Sequence, residues 1–81
     1  MKKIEAEIKM IISDTVGKEF NLAPIHLTWR QLGVDSLDLL DIITRCEIQF
    51  RVKITDNDAG RLFTLKDMTQ LIELKIRNKE R

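Results

Sequence analysis

Asp35, Ser36 and Asp38 place a hydroxyl between two carboxylates within four residues. Two kinds of chemistry use that arrangement. At the start of a helix, an aspartate or serine accepts hydrogen bonds from the open amides of the first turn. A second acid three residues on meets the positive end of the helix. The same open amides tolerate a phosphate diester, so a serine there is also a possible target for a modifying enzyme. If Asp35 is the cap, Ser36 is the first helical residue and its hydroxyl faces solvent; equally, Ser36 is itself the cap. Capping alone accounts for the local pattern. In the second reading, Leu37 and Leu40, with Asp38 and Asp41, give a partner enzyme apolar surface and charge beside the serine.

The other reactive side chains read more plainly. Cys46 falls on an apolar stripe with Leu39, Ile42, Ile43 and Phe50 and is expected in the core, where a thiol is inert. His26 has no carboxylate or cysteine at ligand spacing, so it reads as a surface residue and no metal site is expected.

The elements that hold the serine follow from periodicity. Ile4, Ile8, Ile11, Ile12 and Val16 define one face of a helix over 2–16, closed by Gly17. Residues 17–35 contain Pro24 and apolar residues at intervals of two or three, among them Phe20, Leu22, Ile25, Leu27, Trp29, Leu32 and Val34. Ile25-Leu27-Trp29 and Phe50-Val52-Ile54 alternate like strands, but an isolated pair is marginal in water. A long loop pinned by its apolar residues is the better reading, with Trp29 as an anchor and Gly33 allowing the turn into the next helix. A helix over 36–50 buries the Leu39 stripe and leaves Leu37, Leu40 and Ile48 off it, for a docking face or for broad burial in a bundle. Thr55 with Asp58 starts a short helix near 56–61 that turns Ala59 and Leu62 inward. Thr64 with Asp67 starts the last helix, with Leu65, Met68, Ile72 and Ile76 facing the core and a charged tail, Lys75 to Arg81, expected to fray. The expected fold is all-α: a small four-helix bundle, three main helices and one short one, with a long first loop, in a single domain over 1–81.

Composition sets outer limits. With 81 residues, 33% charged and 43% hydrophobic, the chain is a globular unit with a modest core. The net charge of +1 gives no global basic field for nucleic acid. It conceals an asymmetry: over 35–50, Asp35, Asp38, Asp41 and Glu47 stand against Arg45, a net of −3, leaving +4 elsewhere. No apolar run approaches the ~18 residues a membrane span needs. Glu5, Glu7 and Lys9 interrupt any signal-like start after Lys2 and Lys3. With one cysteine there is no internal disulfide, and a cytoplasmic, reducing location is expected.

The stretch Leu32-Gly33-Val34-Asp35-Ser36-Leu37-Asp38 resembles the attachment motif of acyl carrier proteins, which commonly read LG-x-DSL-[DE]. The DSL triplet alone is weak. The flanking Leu-Gly, the length, the four-helix pattern and the long loop before the serine make the combination specific. The similarity spans roughly residues 3 to 77, and Phe50 to Ile54 followed by Thr55 to Ala59 resembles the family's passage from second to third helix.

That resemblance implies a cofactor and partners. A phosphopantetheinyl transferase moves 4′-phosphopantetheine from coenzyme A onto Ser36, with Asp35 beside it, and the arm's thiol holds acyl groups as thioesters. The protein is then a carrier and not an enzyme, serving acyl-transferring, condensing or acyl-activating partners, without membrane insertion and as a monomer. Leu37, Asp38, Leu40, Asp41 and Ile48 are the implied docking residues. Ile42, Ile43, Cys46, Ile54, Ala59, Leu62, Met68 and Ile72 are the implied lining of an acyl-chain cavity, although plain core explains them equally. The fatty-acid-synthesis carriers of this family are strongly acidic, whereas this chain has Arg45, Ile48 and Gln49 where that type often carries acids. The departure points to a specialised carrier in fatty acid, lipid or related biosynthesis. Two other readings stay open: a carrier of aminoacyl or polyketide intermediates, and a non-catalytic helical interaction module in which Ser36 only caps a helix.

Overall fold

The computed structural model describes residues 2–20 and 24–79 and contains four helices among them. Leu22 of the long loop and the last two residues of the tail, Glu80 and Arg81, lie outside the described residues. Helix α1 spans Lys2–Val16, α2 Ser36–Phe50, α3 Asp56–Ala59 and α4 Leu65–Lys79. α1 packs against both α2 and α4. Ile4, Ile8, Ile11 and Ile12 of α1, Ile42, Ile43 and Cys46 of α2, and Leu65, Met68 and Ile72 of α4 are buried in one cluster. The helical spacing of these residues is what puts them on facing stripes.

Each helix end has a local cause. Gly17 adopts a left-handed φ of 72° and its N–H donates to Ser13 O at 2.8 Å, closing α1. Thr55 and Asp58 cap α3 reciprocally, at 3.0 and 3.1 Å. Thr64 and Asp67 do the same for α4, where Asp67 Oδ2 also accepts from Phe63 N–H at 2.9 Å.

The loop over 17–35 is held from both sides. Phe20, Trp29, Leu32 and Val34 are buried in the core. Trp29 Nε1 donates to Leu62 O at 2.8 Å, and Lys66 N–H donates to Ile25 O at 2.7 Å. The alternating stretch 25–29 does not pair with 50–54. It meets the α3–α4 connection through a single antiparallel bridge, Thr28 with Thr64. Two bridged residues give the ladder too little length to become a sheet.

Two expectations need correction. The short helix stops at Ala59 rather than reaching 61, because the chain tightens: Arg61 N–H donates to Asp58 O and Leu62 N–H to Ala59 O, three residues back. The charged tail does not fray from Lys75. It stays helical through Lys79 because its lysines have partners: Lys75 meets Asp58 at 2.8 Å, and Lys79 Nζ donates to Arg51 O at 2.9 Å and Phe50 O at 3.4 Å. These contacts join residues 17 to 29 positions apart and leave no local sequence signal.

Candidate functional site

The chain enters α2 through two tight constraints. Gly33 has φ 77°, a conformation that costs any residue with a Cβ. Val34 is buried and its N–H donates to Trp29 O at 2.8 Å. Together they set the height and direction at which Asp35 arrives.

Asp35 is the cap. Its backbone is extended, its Oδ1 accepts from Asp38 N–H at 2.8 Å, and its carbonyl accepts the first helical bond from Leu39 N–H at 2.9 Å. Ser36 is therefore the first residue inside the helix, exposed, and its hydroxyl makes no hydrogen bond with another described residue. The two capping alternatives are thus separated by geometry: the acid performs the structural task and leaves the hydroxyl uncommitted. At this position the amides of Ser36 and Leu37 have no acceptor within the helix.

Beside the hydroxyl is an open depression of about 510 Å³, lined by Arg30, Gly33, Val34, Asp35 and Ser36. Lys18, from the turn after α1, reaches the same place: a Cβ added to Gly33 would come 3.4 Å from Lys18 Nζ. Neither Arg30 nor Lys18 was singled out by the sequence. They lie 6 and 18 positions before Ser36, and only the course of the loop brings Arg30 to the serine's depression and Lys18 to Gly33.

Beyond the serine, α2 presents Leu37, Leu40 and Ile48 to solvent at 78, 60 and 74% exposure. On a helix, Leu37, Asp41, Thr44 and Ile48 form one ridge by steps of four, three and four. The acids here are less available than their number suggests. Asp35 is engaged as a cap and Asp41 pairs with Arg45 at 3.1 Å. Asp38 is half-buried.

The opposite face of α2 is core. Ile42, Ile43, Cys46, Ile54, Leu62, Met68 and Ile72 are buried and Ala59 is half-buried against them. All eight belong to one packed cluster. Cys46 Sγ lies 3.9 Å from Met68 Sδ. Burial, with the nearby Glu47 carboxylate adding to it, pushes the Cys46 thiol up to about 12. His26 is exposed. No cluster of three metal-ligating side chains occurs among the described residues, and no described helix is long and apolar enough to cross a membrane.

Comparison with known proteins places this geometry among relatives. A family model described as a phosphopantetheine attachment site matches residues 6–72. An acyl carrier protein of Thermotoga maritima is 34% identical over 76 residues, covering 93% of this chain and 94% of the relative. One from Cyanidium caldarium is 32% identical over 80 residues, covering 96% and 92%. The crystal structure of an acyl carrier protein from Thermotoga maritima superposes with a TM-score of 0.87 at 27% identity, covering 95% of this chain and 91% of that one.

Proposed function

The chain belongs to the phosphopantetheine-binding family of acyl carrier proteins, and from that footing we propose that Ser36 is the residue that carries the arm. The observation behind this assignment is the exposed Ser36 hydroxyl, uncommitted because Asp35 holds the cap. The surroundings fit a phosphodiester-linked arm. The hydroxyl is open to a transferase, and the adjoining depression, with Gly33 in its lining, has room for a flexible chain.

When attached, the arm supplies a thiol that holds acyl groups as thioesters. The chain's own contribution is mechanical and electrostatic. Asp35 fixes the start of α2 and so the position of the Ser36 oxygen. Val34 and Trp29 lock the loop behind it. The uncapped amides of the first turn favour the negative charge of the diester. Carriers of this family present cargo and leave bond-making to partners, and the buried thiol of Cys46 supplies no nucleophile of its own.

We assign docking of the transferase and of acyl-handling enzymes to Leu37, Asp38, Leu40, Asp41 and Ile48. With Asp35 and Asp41 engaged internally, the exposed leucines and Ile48 carry more of the contact than charge does. Weaker steering by charge slows encounter with strongly basic partners. That favours a dedicated partner set, hence a specialised carrier. A general fatty-acid ketosynthase binding it as tightly as it binds a strongly acidic carrier would overturn this part.

We also read the cluster of Ile42, Ile43, Cys46, Ile54, Ala59, Leu62, Met68 and Ile72 as the lining that an acyl chain parts. α3 is the wall easiest to displace, since none of its four residues is buried. The whole chain acts as one monomeric carrier domain, in the cytoplasm. An aminoacyl or polyketide cargo uses the same arm. The group found on protein isolated from its native host separates that case from a fatty acyl cargo.

The attachment test is direct. Purified protein and Ser36→Ala are incubated with coenzyme A, magnesium and a broad-specificity phosphopantetheinyl transferase, and intact mass is measured. The wild type gains one phosphopantetheine and the variant none, while both melt together. No gain in folded wild type with more than one transferase would overturn the assignment of Ser36.

A further inference from the structure

We propose that Lys18 and Arg30 form a cationic cradle that holds the phosphate of the arm on Ser36. This rests on Ser36 being the attachment residue.

Three features of the structure converge on it. Arg30 lines the depression whose rim is Ser36. Lys18 Nζ lies beside Gly33, 3.4 Å from where a Cβ on it would stand, and Gly33 is part of the depression's lining. Neither cation makes an ion pair or hydrogen bond with another described residue, so both are available. Most basic side chains of α2 and α4 near a carboxylate or carbonyl are engaged, as Arg45, Lys75 and Lys79 show. The two beside the serine are not.

Charge explains why a pair is needed. A phosphodiester on Ser36 brings one negative charge next to the Asp35 carboxylate, which lines the same depression. Left alone, the two anions repel. Asp35 cannot move away, because its Oδ1 holds Asp38 N–H. One guanidinium and one ammonium balance the diester and the carboxylate together. Their roles differ: the planar guanidinium can bond two phosphate oxygens at once, while the ammonium acts as a point charge. The consequence is that the root of the arm is held near the loop over 18–33, while the thiol end stays free to swing.

The test uses wild type, Lys18→Gln, Arg30→Gln, the double variant and Arg30→Lys, each converted fully to the loaded form with excess transferase and verified by intact mass. The readouts are the 31P resonance of the diester and the Arg30 Nε–H signal. In loaded wild type, Arg30 Nε–H shifts relative to the unloaded protein, and the 31P resonance is displaced from its position in the same protein unfolded in urea. In the double variant most of that 31P displacement disappears, each single variant loses part, and Arg30→Lys loses less than Arg30→Gln. All variants melt with the wild type. Fully loaded, folded double variant with the wild-type 31P position would overturn the cradle alone. Wild type that gains no mass would overturn the attachment site instead.

Discussion

The two ends of α2 are built in opposite ways. At the start, Asp35 caps the helix within its own turn, and everything beyond it, the Ser36 hydroxyl and the Leu37 side chain, is left open to solvent. At the end, the chain is tied to distant parts. Arg51 closes the helix in a left-handed conformation, φ 55°, with its N–H donating to Glu47 O. The Glu47 carboxylate turns back to accept from Ile54 N–H at 2.8 Å. Lys79 from α4 then covers the last carbonyls. Charge follows the same division: acids gather at the serine end, while Arg51, Lys53, Lys75 and Lys79 line a shallow groove at the other. The first turn of α2 is thus capped by a local bond, while its last turn is held by bonds to distant parts of the chain.

This contrast can be broken at either end. The largest effect is expected from Glu47→Ala at the tied end. It strands a partly buried amide at Ile54, and about 1–3 kcal/mol of stability is lost in chemical denaturation. Loading at Ser36 continues at the wild-type rate. Next comes Asp35→Ala at the open end, which removes the cap and costs about 1 kcal/mol. It also slows loading, because the start of α2 is then less fixed; unchanged loading kinetics would detach the cap from the site. Arg51→Gly relieves the left-handed backbone and raises stability by about 0.5 kcal/mol, the Lys79 contact to the carbonyl being kept.

The smallest effect concerns pH. The Lys75 ammonium and the Thr55 N–H hold the Asp58 carboxyl down at about 2, below its ordinary 3.8. Between these values the unfolded chain binds more protons than the folded one, so this contribution is full above about 3.8 and fades as pH falls through about 2. Solvent screening keeps it well under 1 kcal/mol. Asp58→Asn flattens the acid limb of a melting-temperature profile over that window. An unchanged limb would show that α3 gains nothing from its tie to α4.

What the sequence made legible divides along the same line. The bounds of α1 and α2, the Thr55 and Thr64 caps and the core stripes rest on contacts within one or two turns, and periodicity reports those directly. The serine motif is likewise local. Which residue caps α2 was not legible, because Asp35 and Ser36 offer the same chemistry one position apart and only backbone geometry separates them. Neither were the partners of Trp29, the anchoring of Lys75 and Lys79, the approach of Lys18 to Gly33, nor the place of Arg30 in the depression beside Ser36. Each depends on where a loop or a helix end lies in space, and single-residue patterns carry no such information.

Cys46 has a bearing on redox behaviour. A thiol pushed up to about 12 by burial stays protonated at neutral pH. Buried as it is, it neither attacks a thioester carried on the same molecule nor forms a disulfide with its terminal sulfur. The loaded protein therefore exposes one reactive thiol, and it lies on the arm. Under mild oxidation the products are mixed disulfides of that sulfur with small thiols, or symmetric dimers joined arm to arm, all reversed by a reductant without unfolding the helices.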